Sequence, residues 1–262
     1  MRERDLIPFF VMTFLIAWTV LGLYIFAAET MNRLFGELTG NHPLFYMAVY
    51  APAIAALILV HHRHGFAGIR SFLSRLLLWR ASVYWYVFLV VIVPLVFYVS
   101  ALFKEGTDSR LFPFDTLGIY LLALLLMAIK GPLEEIGWRG LALPLLQRMM
   151  TPLMAALILG GIWAIWHLPA FLLSGTPQSA WSLFPFLTGT VALSVIVTAL
   201  FNHAKGSILL PAFFHLQLIN PLWPDAQPYD SWLFVAVAVS IVWFKRSEML
   251  TRQGAITDVL AK

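Results

Sequence analysis

Three stretches of this chain place acid–base side chains within apolar surroundings. The first, residues 131–140, carries Glu134 and Glu135 followed by Arg139. Residues four apart meet on one face of a helix, so Glu135 and Arg139 can pair, while Glu134 points about 100° away and is free to act as a general base. The two glutamates can exchange these roles. An ion-paired helix end without chemistry is the alternative interpretation of the same spacing.

The other two stretches each contribute a histidine. His167 follows Trp163 by one helical turn near the end of an apolar run, and His215 lies inside a later run, with Gln217 and Asn220 after it. A single histidine in such a helix is more often a hydrogen-bonded interior residue. A glutamate pair and two buried histidines together, however, supply the groups that activate water and stabilise an oxyanion. The combination predicts a hydrolytic site.

A metal ion is compatible with the same residues. Glu134, His167 and His215 form an acceptable zinc ligand set with a fourth position open for water. The chain lacks the HExxH signature, so a divalent metal such as zinc is allowed but not required, and no cofactor is certain. The absence of cysteine excludes a thiolate nucleophile, and no Gly-x-Ser-x-Gly elbow is present.

The elements that must position these residues are predicted to be membrane helices. Hydrophobic residues make up 61% of the chain and charged residues 11%, whereas soluble domains carry about a quarter charged residues. The apolar stretches are continuous rather than alternating, which favours helices over barrel strands. We therefore predict one all-α, polytopic transmembrane bundle over residues 1–262 with about eight spans. The stretches are residues 8–28, 44–60, 83–103, 115–131, 152–173, 183–201, 206–222 and 231–244.

The basic residues predict the orientation of this bundle. With the N-terminus in the cytoplasm, an eight-span chain places Arg33, Lys104 and Arg110 outside and the other 14 of the 17 lysines and arginines inside. Positive charge is concentrated on cytoplasmic loops in membrane proteins. We predict that both termini are cytoplasmic, and that the net charge of +4 reflects topology rather than a nucleic-acid partner.

The same layout raises a problem of depth. Glu134 lies near the cytoplasmic end of its predicted span, whereas His167 lies about 22 Å along its helix from Pro152. Straight helices would keep the two apart. Either the helix continues past Gly131, or a turn within residues 140–156 delays the start of the next helix. We expect the glutamate pair to lie deeper than hydropathy indicates, in a water-filled cavity open to the cytoplasm.

The three motifs, in this order, resemble the CPBP family of intramembrane proteases (CAAX protease and bacteriocin-processing, also called Abi) over roughly residues 115–222. Its EExxxR motif is matched by Glu134, Glu135 and Arg139. Its FxxxH motif is matched by Trp163 and His167, with one aromatic residue in place of another.

The third motif of the family, HxxxN, is matched only in part. His215 is present, but position 219 is Ile, and Asn220 stands one residue later. One residue turns a side chain by about 100° on a helix. Asn220 is therefore only a candidate for the amide donor, and Gln217 is a weaker one.

The resemblance implies an intramembrane endopeptidase, described in this family either as a metalloprotease or as a glutamate-dependent enzyme. Glu134 would activate water with help from His167, and His215 with an amide side chain would stabilise the oxyanion. Glu135 and Arg139 would brace the site. A metal, if present, would be bound by Glu134 and the two histidines.

Two other functions remain open. A non-catalytic membrane protein with the same fold, such as a bacteriocin-immunity or secretion-accessory protein, is favoured slightly by the altered HxxxN motif. A transporter would use buried charges for substrate or protons, but matching halves with broken helices are not detectable in the sequence. For the protease, we expect a peptide or protein substrate at the lipid bilayer. The short loops suggest a prokaryotic inner membrane.

Overall fold

The computed structural model describes residues 1–104 and 112–261, and within these ranges the regular structure is entirely helical. The all-α prediction is therefore confirmed. Arg110 and Lys262, both used in predicting the orientation, lie outside the described residues. The helices are α1 (Leu6–Phe26), α2 (Ala28–Phe35), α3 (Pro43–Val49), α4 (Ala51–Leu73), α5 (Val83–Val87), α6 (Val93–Ala101), α7 (Leu117–Ala128), α8 (Glu134–Gly137), α9 (Leu143–Gln147), α10 (Pro152–Trp166), α11 (Leu183–His203), α12 (Leu209–Leu218), α13 (Tyr229–Phe244) and α14 (Arg246–Met249).

The helices are those of a multi-pass membrane protein. In the described part of the chain, five helical stretches are long and apolar enough to cross a bilayer. The pair Pro43–Val49 and Ala51–Leu77, bent by 61°, gives a sixth if the two helices form one span. The two shorter apolar helices, α12 and α13, fall in the last two predicted stretches. The count of eight spans and the cytoplasmic termini stay predictions. The five stretches are Glu3–Phe26, Val83–Ala101, Leu117–Gln147, Pro152–Leu172 and Leu183–His203.

Small residues bring the central helices close together. A Cβ atom on Gly160 of α10 would lie 2.8 Å from Cβ of Ser194 on α11, and one on Gly189 of α11 would lie 2.6 Å from Oγ of Ser231 on α13. Such contacts leave no space for a larger side chain. Close approach at small residues is a main source of helix association in membranes, so α10, α11 and α13 form a tightly packed unit.

The chain between α7 and α10 is broken twice. Helix α7 ends before Ile129, a 3-10 turn over Gly131–Leu133 follows, and helical structure continues through α8 and α9 to Gln147. A π-helical segment, Trp138–Ala142, joins α8 to α9. Helix α10 then begins at Pro152. The helix thus continues past Gly131, which was the first of the two predicted solutions to the depth problem.

The helical structure that follows Gly131 places Glu134 and Trp163 at a similar depth in the bundle. Glu134 lies 13 residues, or about 20 Å, before Gln147, and Trp163 lies 11 residues, or about 16 Å, after Pro152. Because α8 to α9 and α10 run in opposite directions from the intervening turn, Glu134 meets Trp163 rather than the end of α10.

A buried arginine ties the last described residues to the helix of the glutamates. Arg75, which is 2% exposed, donates through Nη1 to the carbonyl oxygens of Gly140 (2.7 Å) and Val259 (2.8 Å) and through Nε to that of Gly206 (2.8 Å). Gln147 Nε2 donates to the carbonyl oxygen of Ile256 at 2.9 Å. Residues 256–259 therefore pack along the π-helical segment and α9, and help to hold them in place.

Candidate active site

Glu134 is held by two tryptophans. The indole N–H groups of Trp163 and Trp138 both donate to Oε2 of Glu134, at 3.0 and 3.3 Å. Within residues 1–104 and 112–261, the second oxygen, Oε1, accepts no hydrogen bond from protein. The carboxylate is thus fixed through one oxygen, and the other is available to a substrate or a water molecule. This is the geometry that a general base needs.

Glu135 is at the centre of a separate ion cluster. Its Oε1 accepts from Nδ1 of His215 at 2.9 Å, and Nη1 of Arg139 lies 3.3 Å from both of its oxygens. The Glu135–Arg139 contact predicted from the four-residue spacing is therefore present. The guanidinium group of Arg139 also lies 4.7 Å from the ring centroid of Trp163. Since Trp163 contacts Glu134, one indole connects the two glutamates.

His167 stands at the edge of this cluster. Its Nδ1 lies 2.8 Å from the carbonyl oxygen of Trp163, and because a carbonyl can only accept, Nδ1 carries the hydrogen. In the neutral ring Nε2 is then an acceptor. In the described structure no hydrogen bond joins His167 to Glu134. The rings of His167 and His215 lie 5.6 and 5.5 Å from that of Trp163, so this residue contacts both histidines.

Gly131 lets His215 approach the backbone. A Cβ atom at this position would lie 2.6 Å from Nε2 of His215 and 3.0 Å from Cδ1 of Ile219. Only glycine leaves enough space for both side chains. Ile219 thus lies beside His215, where the family motif has asparagine, and its side chain has no hydrogen-bond donor.

Asn220 is placed elsewhere. Its Oδ1 accepts from the backbone N–H of Leu222 at 3.0 Å, and its Nδ2 donates to Oε1 of Gln217 at 3.2 Å. Asn220 follows the end of α12 and stabilises the next turn. The structure therefore brings together Glu134, Glu135, Arg139 and His215, with His167 next to them. It shows no hydrogen bond from Asn220 or Gln217 to these residues among the part of the chain it describes.

The cluster is closed. Glu134 is 4% exposed and Glu135 1%, Arg139 is fully buried, and His167 is the partly exposed member. These values describe packed side chains around the carboxylates rather than the open, water-filled cavity that the sequence suggested. The reason is local: two indoles and a histidine ring fill the space beside α8. The partly exposed edge of the cluster is therefore at His167.

Two features of the site were missed from the sequence. The FxxxH motif identifies Trp163 only as an aromatic residue and does not identify it as a hydrogen-bond donor to Glu134. Trp138 belongs to no motif, although it stands four residues after Glu134 and can meet it on one helical face. Gly131 was noted only as the start of the motif. Its role depends on the approach of α12, which the sequence does not specify.

The metal-binding hypothesis does not fit this arrangement. Among the described residues no three His, Asp or Glu side chains converge on a point where one metal ion would lie. Oε2 of Glu134 already accepts from two indole N–H groups, and the rings of both histidines pack against Trp163. The free Nε2 atoms of His167 and His215 are ordinary metal-ligand atoms, but they do not meet around Glu134.

Residues 116–218 match the family model described as "Type II CAAX prenyl endopeptidase Rce1-like". The resemblance to the CPBP family is confirmed. A curated relative, CAAX prenyl protease 2 of Methanococcus maripaludis, is 27% identical over 155 residues, which are 55% of this chain and 56% of the relative. The chain thus aligns with little more than half of that relative's length. The matched residues include Glu134, His167 and His215 but end before Ile219.

Proposed function

We propose that this chain is an intramembrane endopeptidase that hydrolyses a peptide bond of a membrane-bound or membrane-proximal substrate with a water molecule activated by Glu134. The observation that carries the proposal is the asymmetric environment of the Glu134 carboxylate. Two indole N–H groups fix Oε2, and Oε1 is left without a protein donor. A buried carboxylate that is oriented but not neutralised by a cation suits proton abstraction from water.

The reaction follows from these positions. Oε1 of Glu134 takes a proton from water, and the oxygen of the water attacks the peptide carbonyl carbon. The carbonyl π pair moves to oxygen and forms a tetrahedral oxyanion. When the intermediate collapses, the C–N bond breaks and the departing amine takes the proton from Glu134. The products are a carboxylic acid and an amine, which exchange a proton to give a carboxylate and an ammonium ion, and Glu134 returns to its starting carboxylate form.

The histidines have different tasks in this scheme. Nε2 of neutral His167 accepts a hydrogen bond from the attacking water and orients it, since Nδ1 donates its hydrogen to the carbonyl oxygen of Trp163. His215 donates its Nδ1 hydrogen to Glu135, and Nε2 carries a second hydrogen only when the ring is protonated. The protonated ring, paired with Glu135, is the donor for the oxyanion. Arg139 supports Glu135 from the other side.

The substrate and the membrane are also part of the proposal. The name of the relative from Methanococcus maripaludis refers to a prenylated substrate. For this chain we propose a peptide delivered to the bilayer surface, with or without a lipid group. The short loops of the sequence support a location in a prokaryotic inner membrane.

The test is cleavage of a fluorescence-quenched peptide library, in prenylated and unmodified forms, by the purified protein in lipid nanodiscs. Cleavage by the wild type that is lost in Glu134→Gln and His167→Ala, but kept in Glu37→Gln, supports the protease. Glu37 is an exposed glutamate and serves as the matched control. Removal of metal by a chelator should leave the rate unchanged, because the site does not assemble three ligands.

The alternative is a binding protein without catalysis. The observation that favours it is Ile219, which leaves the oxyanion side without the amide donor of the family motif. Equal signals from the wild type, Glu134→Gln and His167→Ala in folded preparations would replace the protease with this alternative.

A further inference from the structure

An apolar groove that shares no lining residue with the Glu134 cluster lies between the helices. It has a volume of about 400 Å³, and its walls come from α5 with the π-helical segment after it, and from α13. Trp85 and Phe88 line one wall, and Ile241 and Phe244 the other. None of the lining residues belongs to the Glu134 cluster. The groove is therefore a separate feature.

The groove has a defined direction. Ser82, His203 and Lys245 lie at one end, while Ile92 and Val237 lie at the other. Val237 lies eight residues before Lys245, which is a distance of about 12 Å along α13. The groove thus begins where α5 starts and α13 ends. It runs between these two helices toward the middle of the bundle. It becomes wholly apolar with depth.

Aromatic side chains mark the level of its mouth. Tyr84, Trp243 and Phe244 are exposed by 81%, 67% and 79%, and Trp79 nearby in the chain is exposed by 62%. Exposed tryptophan and tyrosine in membrane proteins collect at the boundary between headgroups and hydrocarbon. The mouth therefore lies at the membrane surface, and the apolar end lies within the hydrocarbon.

The mouth is positively charged. Lys245 lines it, Arg246 follows, and Lys205 stands two residues after His203 in the turn that ends α11. One acid opposes them: Glu248 accepts from Nζ of Lys245 at 3.1 Å, in a half-exposed pair. Three cations and one carboxylate leave a net positive charge. Basic sites between membrane helices on the cytoplasmic side bind anionic headgroups.

We propose that this groove binds one anionic phospholipid, with an acyl chain between α5 and α13 and the phosphate at Lys205 and Lys245. The charge at the mouth selects the headgroup, and the length and apolar walls accept a single chain. A helix of a second protein, about 10 Å in diameter, would need more than the roughly 400 Å³ that the groove offers along its length. This inference stands independently of the proposed protease activity.

The experiment is native mass spectrometry of the full chain released from bilayers containing equal amounts of phosphatidylglycerol and phosphatidylcholine. We expect one phosphatidylglycerol to be retained in preference to phosphatidylcholine. Lys205→Gln and Lys245→Gln should each reduce this preference by about fivefold, since a surface lysine contributes that much to anionic lipid binding. Arg70→Gln, which removes an exposed cation away from the groove, is the matched control and should leave it unchanged.

A second variant tests the shape instead of the charge. Ser240 lines the groove and is exposed, so Ser240→Trp fills the space while all cations remain. It should abolish retention of the bound lipid. The proposal is overturned if both lipids are retained equally, if Arg70→Gln lowers the preference as much as the two lysine variants, or if the groove is covered by a second copy of the chain, seen as a lipid-free dimer. Should Ser240→Trp fail to fold, the lysine variants alone decide.

Discussion

The replacement Trp163→Phe removes a hydrogen bond from the proposed base while keeping an aromatic ring in place. The indole N–H of Trp163 lies 3.0 Å from Oε2 of Glu134, and its ring faces the guanidinium group of Arg139 at 4.7 Å. Phenylalanine has no N–H group but can still pack against the guanidinium group and the histidines. The family motif has phenylalanine at this position, so the packing is expected to tolerate it.

The size of the effect follows from the contacts that remain. A hydrogen bond to a charged group contributes about 1.5–3 kcal/mol. Trp138 still donates to the same oxygen at 3.3 Å, so part of the orientation of Glu134 is kept. We expect a loss near the lower limit, about 1.5 kcal/mol, which corresponds to a decrease of kcat by about tenfold. KM should change by less than about twofold, because the indole holds the base and not the substrate.

The assay is peptide cleavage in nanodiscs with kcat and KM measured separately. Trp166→Phe is the matched control: its ring lies 4.9 Å from that of His167, but its Nε1 is buried without a hydrogen-bond partner in the described structure. It should leave kcat nearly unchanged. An unchanged or increased kcat in Trp163→Phe, or an equal decrease in Trp166→Phe, would refute the view that the indole N–H orients Glu134.

Three further replacements test other parts of the structure. Gly131→Ala should lower kcat at least tenfold in the same assay with the melting temperature nearly unchanged, because a Cβ atom there would displace His215, whose Nε2 lies 2.6 Å away; an unaffected rate would contradict this. Ile219→Asn should raise kcat, since an oxyanion donor contributes about 10²–10³-fold where it reaches the oxyanion; an unchanged rate would show that the amide is not needed. Arg75→Met should lower the free energy of unfolding by roughly 3 kcal/mol, because it removes three buried hydrogen bonds to backbone carbonyl oxygens. The measurement is thermal unfolding in detergent, with the exposed Arg70→Met as the control.

Much of the fold follows from hydropathy, because lipid allows few solutions. A continuous apolar run must satisfy its backbone hydrogen bonds internally, so it forms a helix. The position of Glu134 could not be predicted in the same way. It depends on the break at Ile129 and Lys130, where the backbone leaves the helical region, and on helical structure resuming over Gly131–Leu133. Hydropathy averages over this break and extends one span through it.

In the candidate site, contacts between residues close in sequence could be predicted, and contacts between distant residues could not. The Glu135–Arg139 pair is local, because four residues along a helix place both side chains on one face. The contact between Glu135 and His215 joins residues 80 positions apart and depends on how α12 packs against α8. The sequence supplied the residue types for that contact but not the partner. It likewise offered Asn220 as a donor, whereas the end of α12 directs this side chain to the next turn.

The two departures from the family motifs, Trp163 and Ile219, both lie beside His215. Tryptophan at 163 adds a hydrogen bond to the proposed base, and isoleucine at 219 removes a donor from the side where the oxyanion would form. The indole N–H of Trp163 cannot replace the donor that is absent at position 219, because it donates to Oε2 of Glu134. It would have to break that hydrogen bond to reach another oxygen. In the described structure His215 can donate from that side, through Nε2 beside Gly131. That donor exists only in the protonated ring, and Glu135, 2.9 Å from Nδ1, is the group that stabilises this form. In the proposed mechanism, Glu135 therefore contributes more to oxyanion stabilisation than it would if position 219 carried an amide.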